Sequence, residues 1–162
     1  QPAVSHLFPD APSDGLSSAV VGRANWTDCV YEVEENFHVM PAGHMPPNPA
    51  ELLGSDEMRQ LLSELENEYD QVLLDSAPAL VVTDPCVLGS LADGVVLVVR
   101  AGTNTYGIVQ RTRDILARVG ARMLGVALNG VRATAGGYFR SSYETFYEYH
   151  QPQQLPAAAA ES

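Results

Sequence analysis

Two rhythms of apolar positions run along the chain. Four short runs are mainly apolar from end to end: Phe37–Met40, Val72–Leu74, Val95–Val99 and Met123–Leu128. Continuous rather than alternating, they predict strands covered on both faces, as in a parallel sheet. Between them the spacing is helical. Met58, Leu61, Leu62, Leu65 and Tyr69 fall at i, i+3, i+4, i+7 and i+11, one apolar stripe with a polar back. Ile108, Val109, Thr112, Ile115, Leu116 and Val119 make a second stripe, closed by Gly120 just before the last strand. Start signals agree: Asn48, Pro49 and Glu51 supply an N-cap, a first-turn proline and a capping-box acid, and Ser55 with Asp56 and Glu57 opens the next segment. Strands alternating with amphipathic helices predict an α/β fold with a doubly wound, mainly parallel sheet.

From about Ala135 the pattern breaks into Gly-Gly, aromatics, Ser and Glu, and after Gln151 into Gln, Pro and Ala. This divides the chain into a folded part, residues 1–134, and a tail, residues 135–162, that reads as mobile. The length of 162 residues, with 46% hydrophobic and 18% charged residues, suits one compact domain. No apolar run approaches the roughly 20 residues of a membrane-spanning helix.

Charge changes the picture more than composition does. A net charge of −11 argues against unselective binding to nucleic acid or an anionic membrane. The charge is uneven: residues 1–99 carry two Arg against sixteen acids, and residues 100–140 carry seven Arg against one acid. A positive band between acidic flanks reads as a solvated face, or as a cluster near a phosphate site. All nine basic residues are Arg, so the chain cannot contain a Walker A phosphate loop, which needs Lys. Its start at Gln1, in a loop-like stretch rich in Pro, Asp, Gly and Ser, reads as that of a fragment or a processed product.

Candidate chemistry centres on Val72-Leu73-Leu74-Asp75-Ser76-Ala77-Pro78, an apolar strand ending abruptly in a carboxylate. Ligands of open α/β sheets sit beyond the carboxyl ends of strands, where Asp75 would hold Mg²⁺ beside nucleotide phosphates. Taken alone, an acid at a strand end is better explained by capping the following loop or helix. Elsewhere the chemistry is bland. His6, His38, His44 and His150 show no metal-ligand spacing, and Cys29 and Cys86 read as small buried apolar groups in a reducing compartment. Trp26 reads as an anchor of a helix or loop to the core, and Glu32, Glu34 and Glu35 as a solvated run.

The surroundings of Asp75 resemble one family. Gly15-Leu16-Ser17, Gly22-Arg23-Ala24, Met40-Pro41-Ala42-Gly43 followed by Pro46-Pro47-Asn48-Pro49-Ala50-Glu51-Leu52-Leu53, and Glu68-Tyr69-Asp70 look like bacterial protein-tyrosine kinases. So do Leu74-Asp75-Ser76-Ala77-Pro78, Val82-Thr83-Asp84, Ala92-Asp93-Gly94-Val95, Val98-Val99-Arg100-Ala101-Gly102, and the stretch from Leu124-Gly125-Val126 to Leu128-Asn129-Gly130-Val131. The likeness runs over roughly residues 5 to 150.

The resemblance implies a P-loop fold whose P-loop strand and second acidic motif are missing from this sequence, and an exposed seam beside the Asp75 strand. It implies a kinase using ATP and Mg²⁺, with Asp75 as the Walker B acid and Asn129 at the adenine. Tyr138, Tyr143, Tyr147 and Tyr149 match the family's autophosphorylated cluster, phosphorylated in trans within a ring-shaped oligomer of the intact protein. Phosphates beside Glu144 and Glu148 are expected to loosen docking onto the positive band or a neighbouring subunit. The implied setting is the inner face of a bacterial plasma membrane, in capsule or exopolysaccharide synthesis. The implied partners there are a membrane polysaccharide co-polymerase or the protein's own transmembrane region. A non-catalytic scaffold docking to such a co-polymerase is the second reading, and a partitioning ATPase of the same superclass a weaker third.

Overall fold

The computed structural model describes residues 7, 8 and 10–131. The four tail tyrosines, with His6 and His150, lie outside the described residues.

The first helix fully within the described residues, α1 (Leu16–Val20), is held by backbone rather than by a side-chain cap. The amides of Leu16 and Ser17 donate to the carbonyls of Pro41 and Ala42 at 2.8 and 3.1 Å, so the 41–43 segment is laid against the start of α1. A methyl group on Gly15 would collide with the Pro41 carbonyl, and this approach therefore requires glycine. A 3₁₀ turn (Trp26–Cys29) follows, then a hairpin of β1 (Tyr31–Glu34) and β2 (Phe37–Val39). The hairpin is antiparallel and turns through Asn36 at φ 64°, a left-handed position that Asn tolerates.

Two helices come next. α2 (Pro49–Leu53) has proline at its start, but Asn48 does not cap it; its side-chain amide donates instead to Glu51 Oε2 at 2.8 Å. α3 (Asp56–Glu68) is the principal helix of the core. Ser55 Oγ accepts from the Met58 amide at 3.2 Å, Asp56 and Glu57 lie at its positive end, and Met58, Leu61 and Leu65 are buried on one face. These three join Val20 and Leu88 in the main apolar cluster, with Trp26, Val72, Leu74 and Leu91 packed around it. Met58, 0% exposed, contributes on the order of 2 kcal/mol of apolar burial by itself.

The remaining elements form a β-α-β unit. α4 (Asp84–Leu91) leads into β3 (Val95–Arg100), α5 (Tyr106–Arg118) crosses over, and β4 (Met123–Asn129) returns parallel to β3. Gly94, just before β3, leaves the space that the Leu124 side chain occupies, so any Cβ there would overlap it. α5 is capped by Thr105, whose Oγ1 accepts from the Ile108 amide at 3.4 Å. Thr112 and Leu116 face inward from α5, whereas Ile108 and Val119, at the ends of the predicted stripe, are partly exposed.

The molecule is a mixed α/β fold, but the described residues do not make the single continuous sheet that the four apolar runs predict. Phe37–Val39 belongs to the antiparallel hairpin, with Tyr31–Glu34 as its partner. Val72–Leu74 has no regular secondary structure and joins no ladder among the described residues. Its side chains still alternate, Val72 and Leu74 packing on the core and Leu73 pointing outward at 89% exposure. The β3–β4 pair exposes aliphatic side chains on both faces. Val95, Leu97 and Val99 of β3 turn inward and Val96 and Val98 outward, Val98 at 63%, whereas the register sets the exposed Val126 and Leu128 of β4 beside Leu97 and Val99, on the opposite face from Val96 and Val98.

Candidate functional site

Asp75 stands where the Val72–Leu74 segment leaves the core. Val72 and Leu74 anchor that segment among the residues packed on α3, and the period of two turns Leu73 and Asp75 to the same outward side. The carboxylate is exposed, and no ion pair with it occurs among the described residues. After it the backbone closes a turn in which the Val81 amide donates to the Pro78 carbonyl at 2.9 Å, followed by the Thr83 carbonyl accepting from Val87 at the start of α4. Among the described residues the Asp75 carboxylate accepts no hydrogen bond from this loop or from the start of α4.

Asn129 ends β4 beside Arg100 of β3. Its carbonyl accepts from the Ala101 amide at 2.8 Å, and its Oδ1 accepts from the Gly130 amide at 2.7 Å. That second bond holds the side chain over its own turn, with the amide nitrogen left for another partner. Asp75 and Asn129 share no hydrogen bond among the described residues, so the structure does not bring these two candidates into contact.

The donor set fits part of a nucleotide site. Mg²⁺ is typically held by one or two carboxylates plus substrate phosphates and waters, and an exposed, unpaired Asp75 suits that role. A self-contained metal cage does not fit: among the described residues no group of three or more His, Cys, Asp or Glu is placed to hold a metal. Nor does a phosphate cradle, because the chain has no Lys to reach the β- and γ-phosphates.

The other candidates resolve as structural. Cys29 is buried; that burial, with Asp14 and Asp28 nearby, pushes its thiol pKa up, the reverse of what a nucleophile needs. Trp26 packs edge-on to Tyr69 at 6.4 Å between ring centres, which makes it the predicted anchor of its turn. His38 Nδ1 lies 2.9 Å from the Tyr69 hydroxyl, tying the hairpin to the end of α3. Glu32 and Glu34 are solvated, as their charge run suggests, and are the outward positions of β1, with Tyr31 and Val33 facing in. The alternation was present in Tyr-Glu-Val-Glu and was masked by the neighbouring Glu35.

No protein-family model matches the chain. It is 32% identical over 130 residues to a putative tyrosine-protein kinase CapB of Staphylococcus aureus, covering 80% of this chain and 57% of that protein. It is 35% identical over 137 residues to the tyrosine-protein kinase wzc of Salmonella typhimurium, covering 84% of this chain and 19% of that one. Among solved structures, the kinase domain of the Escherichia coli tyrosine kinase ETK superposes with a TM-score of 0.78 at 34% identity, covering 85% of this chain and 54% of that domain. The chain thus spans little more than half of CapB and of the ETK kinase domain. These similarities run through the segments that surround Asp75 and Asn129, and by them the chain belongs to the bacterial protein-tyrosine kinase family.

Proposed function

We propose that this chain is part of a bacterial tyrosine autokinase of a capsule or exopolysaccharide system, in which Asp75 helps to organise Mg-ATP. The observation that supports this most is the pairing of an outward carboxylate, without an ion-pair partner among the described residues, with a segment of alternating burial that joins no ladder among them. A doubly wound P-loop sheet would supply one: its phosphate-loop strand would fill the seam beside Val72–Leu74, and covering elements on both faces would bury the aliphatic side chains that β3 and β4 expose. The exposed faces of Leu73 and Val98 fit that completion.

In the reaction, a tail tyrosine hydroxyl of a neighbouring copy attacks the γ-phosphorus in line. The bond to the β–γ bridging oxygen breaks, ADP leaves, and the hydroxyl proton passes to solvent. Catalysis of such a transfer is mostly positioning and charge neutralisation. Mg²⁺, when bound, neutralises the charge developing on the β- and γ-oxygens. Asp75 would fix the position of that neutralising charge, and Asn129, at the strand end, would donate its side-chain amide to the base. The acceptors would be Tyr138, Tyr143, Tyr147 and Tyr149. The setting is the cytoplasmic side of the membrane, beside a polysaccharide co-polymerase or attached to a transmembrane region; no helix among the described residues is long and apolar enough to cross a membrane itself.

In the intact protein, Asp75→Asn should abolish phosphotyrosine formation while leaving circular dichroism and thermal unfolding unchanged. Undiminished phosphotyrosine in that variant would overturn the metal role. The absence of any Lys favours, for the 162 residues by themselves, the second reading of a non-catalytic docking module. The two readings part on nucleotide binding: a chain that binds Mg-ATP only when an upstream Lys-bearing segment is joined to it is a kinase piece.

A further inference from the structure

The positive band of the sequence becomes, in the structure, a particular surface. On the outer side of α5, Gly107, Gln110, Arg111, Asp114, Ile115 and Arg118 line an open groove of about 470 Å³. Arg111 and Arg118 are seven residues apart, two turns of helix, so their guanidinium groups flank the groove about 10 Å apart along the axis. Both are exposed, and neither has an acidic partner within 4 Å among the described residues. The acid between them, Asp114, is already engaged by Arg113 at 2.7 Å. Gly107 leaves open space at one end, and half-buried Ile115 gives the floor an apolar patch. An anionic, partly aromatic segment is the complementary ligand.

The chain carries such a segment, and it starts at the right end of the molecule. β4 ends at Asn129, beside Arg100, and α5 begins six residues after Arg100, so the outgoing chain and the first turn of α5 share one end of the sheet. From Val131 to Tyr143 is twelve residues, which extended reach about 40 Å, twice the roughly 20 Å length of α5. Tyr143, Glu144, Phe146, Tyr147 and Glu148 then present acids and aromatics together. In an extended chain Tyr143 and Tyr147 stand about 13 Å apart, within reach of the two arginines.

We propose that residues 138–150 dock on the α5 groove, with Arg111 and Arg118 receiving the side chains at 143–148, and that phosphate on Tyr143 and Tyr147 tightens this docking. The second half of the proposal rests on the autokinase reading. Each phosphate brings a charge of about −1.5 to −2 and three acceptor oxygens, which suit the fork of an Arg better than a phenol or a single Glu does. The sign is opposite to the loosening expected from the sequence. That expectation weighed the added charge against the acids near the tyrosines, whereas the exposed, unpaired arginines of α5 make attraction the larger effect. In the kinase, a tail held on its own α5 once phosphorylated is withdrawn from the neighbour it would otherwise enter.

The test uses synthetic peptides of residues 138–150, unmodified and phosphorylated at positions 143 and 147, titrated by fluorescence anisotropy into the intact protein. Because the phosphates are installed chemically, the outcome does not depend on catalysis; failure of the kinase reading would appear separately, in the Asp75→Asn assay. The phosphorylated peptide is expected to bind at least tenfold more tightly than the unmodified one, and the double variant Arg111→Gln/Arg118→Gln to lose that gain. Arg122→Gln, an exposed arginine outside the groove, should lose less than threefold. Equal affinity of the two peptides, or a phosphopeptide that binds the double variant as well as the parent, would overturn the proposal. Circular dichroism of the double variant, with its exposed substitutions, should match the parent, so that lost binding reports the groove.

Discussion

Single residues carry their chemistry through where the backbone turns them. Leu73 and Asp75 look outward together because Val72 and Leu74 look inward, and one residue of slip would bury the carboxylate and expose the anchors. Cys29 illustrates the opposite placement. Its thiol is held above its ordinary pKa by burial first and by Asp14 and Asp28 second, so the folded chain keeps a proton that the unfolded chain loses near pH 8.5. A raised folded-state pKa stabilises fully below the unfolded value and loses that contribution as pH rises through the folded one. Urea midpoints should therefore fall as pH is raised above about 8.5, and Cys29→Ser should flatten that part of the profile. A parent chain with no such fall would remove the buried-thiol account.

At the scale of elements, legibility followed the range of the interactions. The stripe of Met58, Leu61 and Leu65 and the Ser55 cap were readable because a helix makes its hydrogen bonds within itself, and the structure places all four as the spacing predicts. Ser55→Ala should cost about 1 kcal/mol, measured by urea unfolding, while Ser55→Asp should cost little, since an Asp carboxylate can accept the same amide. Strands were less legible because their partners are chosen elsewhere. Val95–Val99 and Met123–Leu128 found each other across α5, with β4 running on to Asn129. Phe37–Met40 was a strand, but of a hairpin whose other arm lay under alternating glutamates. Val72–Leu74 had the composition of a strand and found no ladder among the described residues. Composition specifies a buried extended segment; the ladder needs a second segment with matching register. The candidate site was legible to the same degree: Asp75 and Asn129 could be named, but not the groove on α5, since a band of seven Arg does not say which of them share a face.

For the whole molecule, the distribution of apolar surface matters more than its amount. The core around α3 is closed, whereas β3 and β4 expose aliphatic side chains on both faces, Val96 and Val98 on one and Val126 and Leu128 on the other. Patches of this kind mark surfaces that are normally covered. The chain by itself should accordingly bind a hydrophobic dye such as ANS in its native state, and Val98→Thr with Val126→Thr should lower that signal by more than half without changing the helical signal in circular dichroism. A parent chain that leaves the dye dark would mean that both faces are already covered.

The alternation along β3 that leaves Val96 and Val98 to solvent also gives the sheet and the α5 groove different calorimetric fingerprints. Covering aliphatic side chains of the sheet removes ordered water and must lower the heat capacity of the complex, at any ionic strength. Seating an anionic segment on two arginines removes far less apolar surface, and its binding enthalpy should vary much less with temperature. Titration calorimetry at several temperatures would thus tell, for any partner that binds, which side of the protein it has taken.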